Sequence, residues 1–222
     1  MSILIRSLAL ILLLASVLFI APLAISDFYY DQAKASFNVV QEGSHDKESV
    51  YNSIFEKLNK SLRWRKANVE ALDLKARVFY QSWWFYPDGQ YIHQSKKLQS
   101  AIDLHKLELT IRRDWSYSAA QLALIYSHQP TINDDFSYWF AESYRLGRYE
   151  AGIARSMMNV GFIKWAELND EQKLQMIEFV RLSIEQKSNS SAYMRVVLDE
   201  YNKRSYMCEK LDRTPRVSAI CN

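Results

Sequence analysis

The chain has 222 residues with only 5 glycines and 4 prolines, 14% aromatic side chains and a formal charge of +3. So little glycine and proline, beside much leucine, alanine, glutamate, lysine and glutamine, argues against a sheet-and-turn protein and for helices with short connections. The small charge, with basic residues scattered in pairs such as Lys96-Lys97 and Arg112-Arg113, argues against a nucleic-acid reader, which concentrates positive charge on one face.

The first predicted element is a membrane helix. No residue from Leu8 to Ile25 is charged, and a run of about 18 such residues reaches the lower limit for crossing about 30 Å of hydrocarbon. Ile3, Leu4 and Ile5 lengthen it, with Arg6 snorkelling to the headgroups. Arg6 precedes the run and Asp27 and Asp31 follow it, so the positive-inside rule puts the N-terminus in the cytoplasm and the body outside. The preferred reading is an uncleaved signal-anchor over residues 1–26. Its rival is a cleaved signal peptide, for which Ala24 and Ser26 offer small residues and Pro22 a helix break. Tyr30, Ala33, Phe37 and Val40 keep a helical period, predicting a helical stalk over 27–43 that Gly43 stops.

Beyond Gly43 apolar residues recur at three and four in successive stripes. They run from Val50 to Leu62, Val69 to Trp83, Leu98 to Leu109, Ala119 to Tyr126, Phe136 to Phe140, Ala154 to Trp165, Ile177 to Ile184 and Tyr193 to Tyr201. Asp88 and Asn133 are placed to cap helices, Asn169 with Gln172 reads as a capping box, and Gly147 stands where a C-cap takes a left-handed residue. The prediction is therefore all-α: a single N-terminal transmembrane helix followed by one domain over 44–204 of antiparallel helical hairpins, similar to tetratricopeptide (TPR-like) hairpins but irregular in spacing. A closed helical bundle is the alternative. Residues 205–222 read as a C-terminal tail holding the only cysteines, Cys208 and Cys221. Export permits these to form a disulfide that pins the tail, although an unbonded pair stays open and zinc lacks further ligands nearby.

The least generic stretch is Ser82-Trp83-Trp84-Phe85-Tyr86-Pro87-Asp88-Gly89-Gln90-Tyr91, where aromatic residues end one helix and a turn starts the next. Its plain role is to bury area on both sides of a hairpin. Its alternative is an exposed shelf in which Trp83, Trp84, Tyr86 and Tyr91 contact sugar rings or a partner. Together with Leu62-Arg63-Trp64-Arg65 and the helix from Leu104-His105 to Arg112-Arg113, ending at Trp115, this segment resembles the VpsP-like family of polysaccharide-biosynthesis proteins. The resemblance covers Leu62 to Tyr126 and the layout of one N-terminal anchor. It implies a place in the making or export of an extracellular polysaccharide at a bacterial inner membrane, with the domain periplasmic. It implies no reaction and carries over no site residue.

Chemistry is otherwise sparse. His45, His93, His105 and His128 are never spaced as paired metal ligands on a helix, and His105 falls on an apolar stripe as a core histidine does. Phosphate-cradling loops, a nucleophile elbow and a dinucleotide fingerprint are missing from the sequence. No catalytic, cofactor or metal residue is assigned. The expected function is a non-catalytic membrane-anchored adaptor whose partners are the bacterial membrane and other polysaccharide-assembly proteins. A periplasmic glycan-binding module and an enzyme with an unrecognised site are the alternatives.

Overall fold

The computed structural model describes residues 2–41, 47–85, 91–185 and 191–222, without the side chains of 2–14, 41, 47, 84, 85, 91–95 and 191. The described residues are all-helical. In chain order the helices are α1 (Ser2–Gln41), α2 (Lys47–Trp64), α3 (Val69–Phe85), α4 (Tyr91–Ile111), α5 (Ser116–Ser127), α6 (Asp134–Gly147), α7 (Ala151–Ile163), α8 (Asp170–Glu185), α9 (Ser191–Glu200), α10 (Arg204–Lys210) and α11 (Pro215–Cys221). The eight apolar stripes predicted after Gly43 fall within or at the end of α2 to α9. Where the sequence suggests one domain over 44–204, the chain divides into two compact units, Met1–Arg112 and Arg113–Asn222. The unbroken recurrence of apolar stripes hides that boundary, which falls between two adjacent arginines.

The first unit is built of consecutive helix pairs, α1 with α2 and α3 with α4. Short connections between packed neighbours make these antiparallel hairpins. Ala33, Phe37 and Val40 of α1 meet Tyr51, Ile54 and Leu58 of α2 and Ala71, Leu74 and Val78 of α3 in one apolar cluster. The spacing of three and four on each helix turns these side chains to a common side, and each large one fully buried is worth about 1.5–3 kcal/mol. The segment 27–43, expected as a stalk, thus supplies core residues, because its Ala33-Phe37-Val40 stripe has a partner in α2. Pro22 lies inside α1, which runs on through it. Among the described residues no helix is long and apolar enough to cross a membrane. The first part of the apolar run, up to Leu14, lies outside the described side chains.

The second unit pairs α5 with α6 and α7 with α8, and α5 also packs on α7. Small buried residues on α5, Ser116, Ser118, Ala119, Ala120 and Ala123, let its neighbours come close. Phe140 then stacks on Phe136 at 5.5 Å and meets Phe179 of α8 edge-on at 6.2 Å. The predicted caps are made: Asn133 Oδ1 accepts from Phe136 N at 2.9 Å, and Asn169 and Gln172 exchange hydrogen bonds of 3.0 and 2.9 Å. The site predicted for Asp88 lies outside the described residues.

Gly147 is not a left-handed cap. It ends α6 with ordinary helical backbone, and a Cβ there would stand 2.8 Å from Ser116 Cβ and 3.0 Å from Ile153 Cγ1, so its role is close approach. Gly161 on α7 is tighter still: a Cβ would fall on Met176 Sδ and within 2.8 Å of its Cε and 2.9 Å of its Cγ, with Met176 fully buried on α8. Gly161→Ala should therefore lower stability by about 1–3 kcal/mol in urea titrations. Gly152→Ala, whose Cβ meets only the Tyr117 side chain, Oη at 3.5 Å and Cε1 at 3.8 Å, should be neutral or stabilising by up to about 1 kcal/mol.

The predicted tail is folded. Asn202, at φ 53, closes α9, and Thr214 caps α11 by accepting from Val217 N at 3.2 Å, with Pro215 in the first turn. Arg216 of α11 donates to the Ile184 and Glu185 carbonyls at the end of α8, at 3.2 and 2.7 Å. A disulfide joins Cys208 to Cys221. For a loop of this length the crosslink should contribute about 3 kcal/mol, so Cys208→Ser/Cys221→Ser should melt lower than wild type under oxidising conditions and match it after reduction.

Candidate functional site

The expected aromatic shelf is only partly in view. Trp83 is half-buried and stacks on Tyr80 of its own helix, with ring centroids 5.8 Å apart, and burial pushes the Tyr80 hydroxyl up to about 12. One face of the Trp83 indole is therefore spent within α3. Trp84 and Tyr91 lie on α3 and α4 with side chains outside the described set, and Tyr86 lies outside the described residues altogether.

Polar chemistry gathers instead where α1 enters the first unit. Ser26 and Ser61, both fully buried, share a hydrogen bond of 3.1 Å, and Asn68 Nδ2 donates to Ser26 Oγ at 3.0 Å. Asn68 Oδ1 accepts from Ala71 N at 3.2 Å, so the same side chain caps α3 and ties it to α1. An open cleft of about 370 Å³ lies beside this knot, lined by Asp27, Tyr30, Asp31, Arg65, Asn68 and Glu70. Arg65 Nη1 is 3.9 Å from Asp27 Oδ1 in that cleft. On the α2–α3 turn Trp64 is 48% exposed.

A second polar group is enclosed between α3 and α4. His105 and Glu108 are both 0% exposed, one helical turn apart on α4, with Nδ1 of the imidazole 3.1 Å from Glu108 Oε2. Asp73 of α3 brings a carboxylate to them, and one ligand atom from each of the three lies within 4.8 Å of the others. Arg77 Nε sits 3.0 Å from Asp73 Oδ2, and its guanidinium lies over the Phe37 ring at 5.3 Å. His105 Nε2 has no hydrogen-bond partner among the described residues.

His105 is thus buried on its stripe, but with acidic company that reading the stripe alone does not reveal. The signal was the His-x-x-Glu spacing, which puts both groups on one face; Asp73 comes from another helix and is invisible to local pattern. His128 is half-buried, and burial and then the nearby Lys164 hold its imidazole below its ordinary value. The side chains of His45 and His93 lie outside the described set.

Compared with protein families, with curated proteins and with solved structures, the chain has no match. The likeness of the Leu62–Tyr126 segment to polysaccharide-biosynthesis proteins therefore stands on those residues alone.

Proposed function

We propose that this protein is a membrane-tethered, non-catalytic adaptor in the assembly or export of a bacterial extracellular polysaccharide, with its N-terminus cytoplasmic and its body periplasmic. One observation carries the tether: α1 changes surroundings along its length. Ala33, Phe37 and Val40 are in the core, whereas Val17, Leu18, Phe19 and Ile20 are 54 to 80% exposed. A row of uncovered large apolar side chains on a helix calls for lipid or a partner. At 1.5 Å per residue, 40 residues span about 60 Å, enough for a bilayer crossing and a full helix of the folded unit.

The collar at the transition fits a lipid boundary. Ser26 hydrogen-bonds Ser61 and Asn68, so the α2–α3 turn with Arg63, Trp64, Arg65 and Lys66 lies beside the level where α1 becomes uncovered. Exposed tryptophan and basic side chains are what the headgroup region accommodates. The buried knot at Ser26 also favours retention of the leading helix over cleavage next to it. The polysaccharide assignment rests on the resemblance of the Trp64 and Trp83-Trp84 segments, and the adaptor role on the helical hairpins of each unit, whose faces suit partner binding.

Deleting the gene should abolish or shorten the surface polymer without slowing growth, and crosslinking in intact cells should recover a polymerase, glycosyltransferase or export protein of that pathway. Normal polymer in the deletion strain would refute the assignment.

A further inference from the structure

An imidazole and two carboxyl groups from neighbouring helices, two of the three side chains wholly shielded from water, make a donor set suited to a transition-metal ion. We propose that Asp73, His105 and Glu108 bind one divalent ion of the zinc or manganese class, which staples α3 to α4.

The tautomers of His105 point to this. With the proton on Nδ1, that nitrogen donates to Glu108 and the two form an ordinary hydrogen-bonded pair, with Nε2 left without a partner among the described residues. With the proton on Nε2, the Nδ1 lone pair and a Glu108 oxygen face each other at 3.1 Å, and a cation reconciles them. A tetrahedral ion with bonds of about 2.1 Å spaces its ligands about 3.4 Å apart, so a shift of a few tenths of an ångström seats it between them. Asp73, with its ligand atom within 4.8 Å, reaches the same ion by rotation of its side chain.

Charge agrees: two carboxylates match a divalent ion, and a nitrogen donor favours zinc or manganese over magnesium or calcium. Arg77 Nε stands 3.0 Å from Asp73 Oδ2 as an ion pair, a neighbour that bears on how the carboxylate is presented. Three protein ligands leave a coordination position for water or a small anion.

The full chain in detergent, disulfide intact and stripped with chelator, is titrated with zinc or manganese chloride by calorimetry. One saturable equivalent and a raised melting temperature are expected. His105→Ala and Asp73→Asn should lose binding, Arg77→Ala should weaken it by about 10–100-fold, and His128→Ala should leave it unchanged. Should the buried variants fail to fold, cobalt(II) added to the wild-type protein gives the second reading: visible ligand-field bands that zinc abolishes. Absence of those bands, no saturable binding, or binding undiminished in Asp73→Asn overturns the site and leaves a salt bridge in its place.

Discussion

Leu18→Asp/Phe19→Asp should strip the protein from membranes while leaving its fold intact. Both side chains are largely exposed, at 74 and 80%, so neither contributes packing that the substitutions would remove. Near the middle of a spanning helix each aspartate costs about 2.5–3.5 kcal/mol of insertion free energy. Two together cost about 5–7 kcal/mol, a shift of more than about a thousandfold towards failure to insert. Fractionation should find the variant in the soluble or degraded pool of the cell, and the purified variant should melt within about 2–4 °C of wild type, since each surface change away from packing is usually within about 0.5 kcal/mol. A variant that remains with the membranes through an alkaline wash would refute the proposed tether.

The second large effect belongs to the buried pair. In metal-free buffer His105→Leu should destabilise the protein by about 3–5 kcal/mol, because it leaves the Glu108 carboxylate enclosed without the imidazole that faces it. Adding Glu108→Leu should return most of that loss and, if the leucines fill the space, leave the double variant as stable as wild type or more so by about 1–4 kcal/mol. Chemical denaturation of the four proteins closes a cycle. Additive losses, with the double variant the weakest of all, would show that the two groups do not act as a pair.

Much of the architecture was legible because its signals are local. Spacing of three and four locates a helix wherever one side of it is buried, and Asn133, Asn169 and Gln172 mark their helix ends by hydrogen bonds to backbone three residues away. The small C-terminal helices escaped because seven residues make barely two turns, too few to show a stripe, although the Thr214-Pro215 start was there to be read. Gly147 is ambiguous in sequence because a glycine near a helix end has two uses, and only the distance to Ser116 separates them. The part played by residues 27–40 and the division at Arg112 both depend on which stripes meet. Pairing of that kind is decided across the fold, beyond the reach of periodicity. Asp73 beside His105 and Glu108 is the same case at the level of a site: the sequence holds both halves, and only the packing of α3 on α4 joins them.

The exposed and the core residues of the leading helix lie on one continuous helix with Pro22 between them, and this bears on how the protein explores its surroundings. A body hung on a loose tether sweeps a hemisphere above a bilayer, whereas under the proposed tether a roll or tilt of α1 turns the helices packed on it. In the proposed setting the first unit faces its partners at one height and one azimuth, so encounters are restricted to molecules diffusing in the same plane.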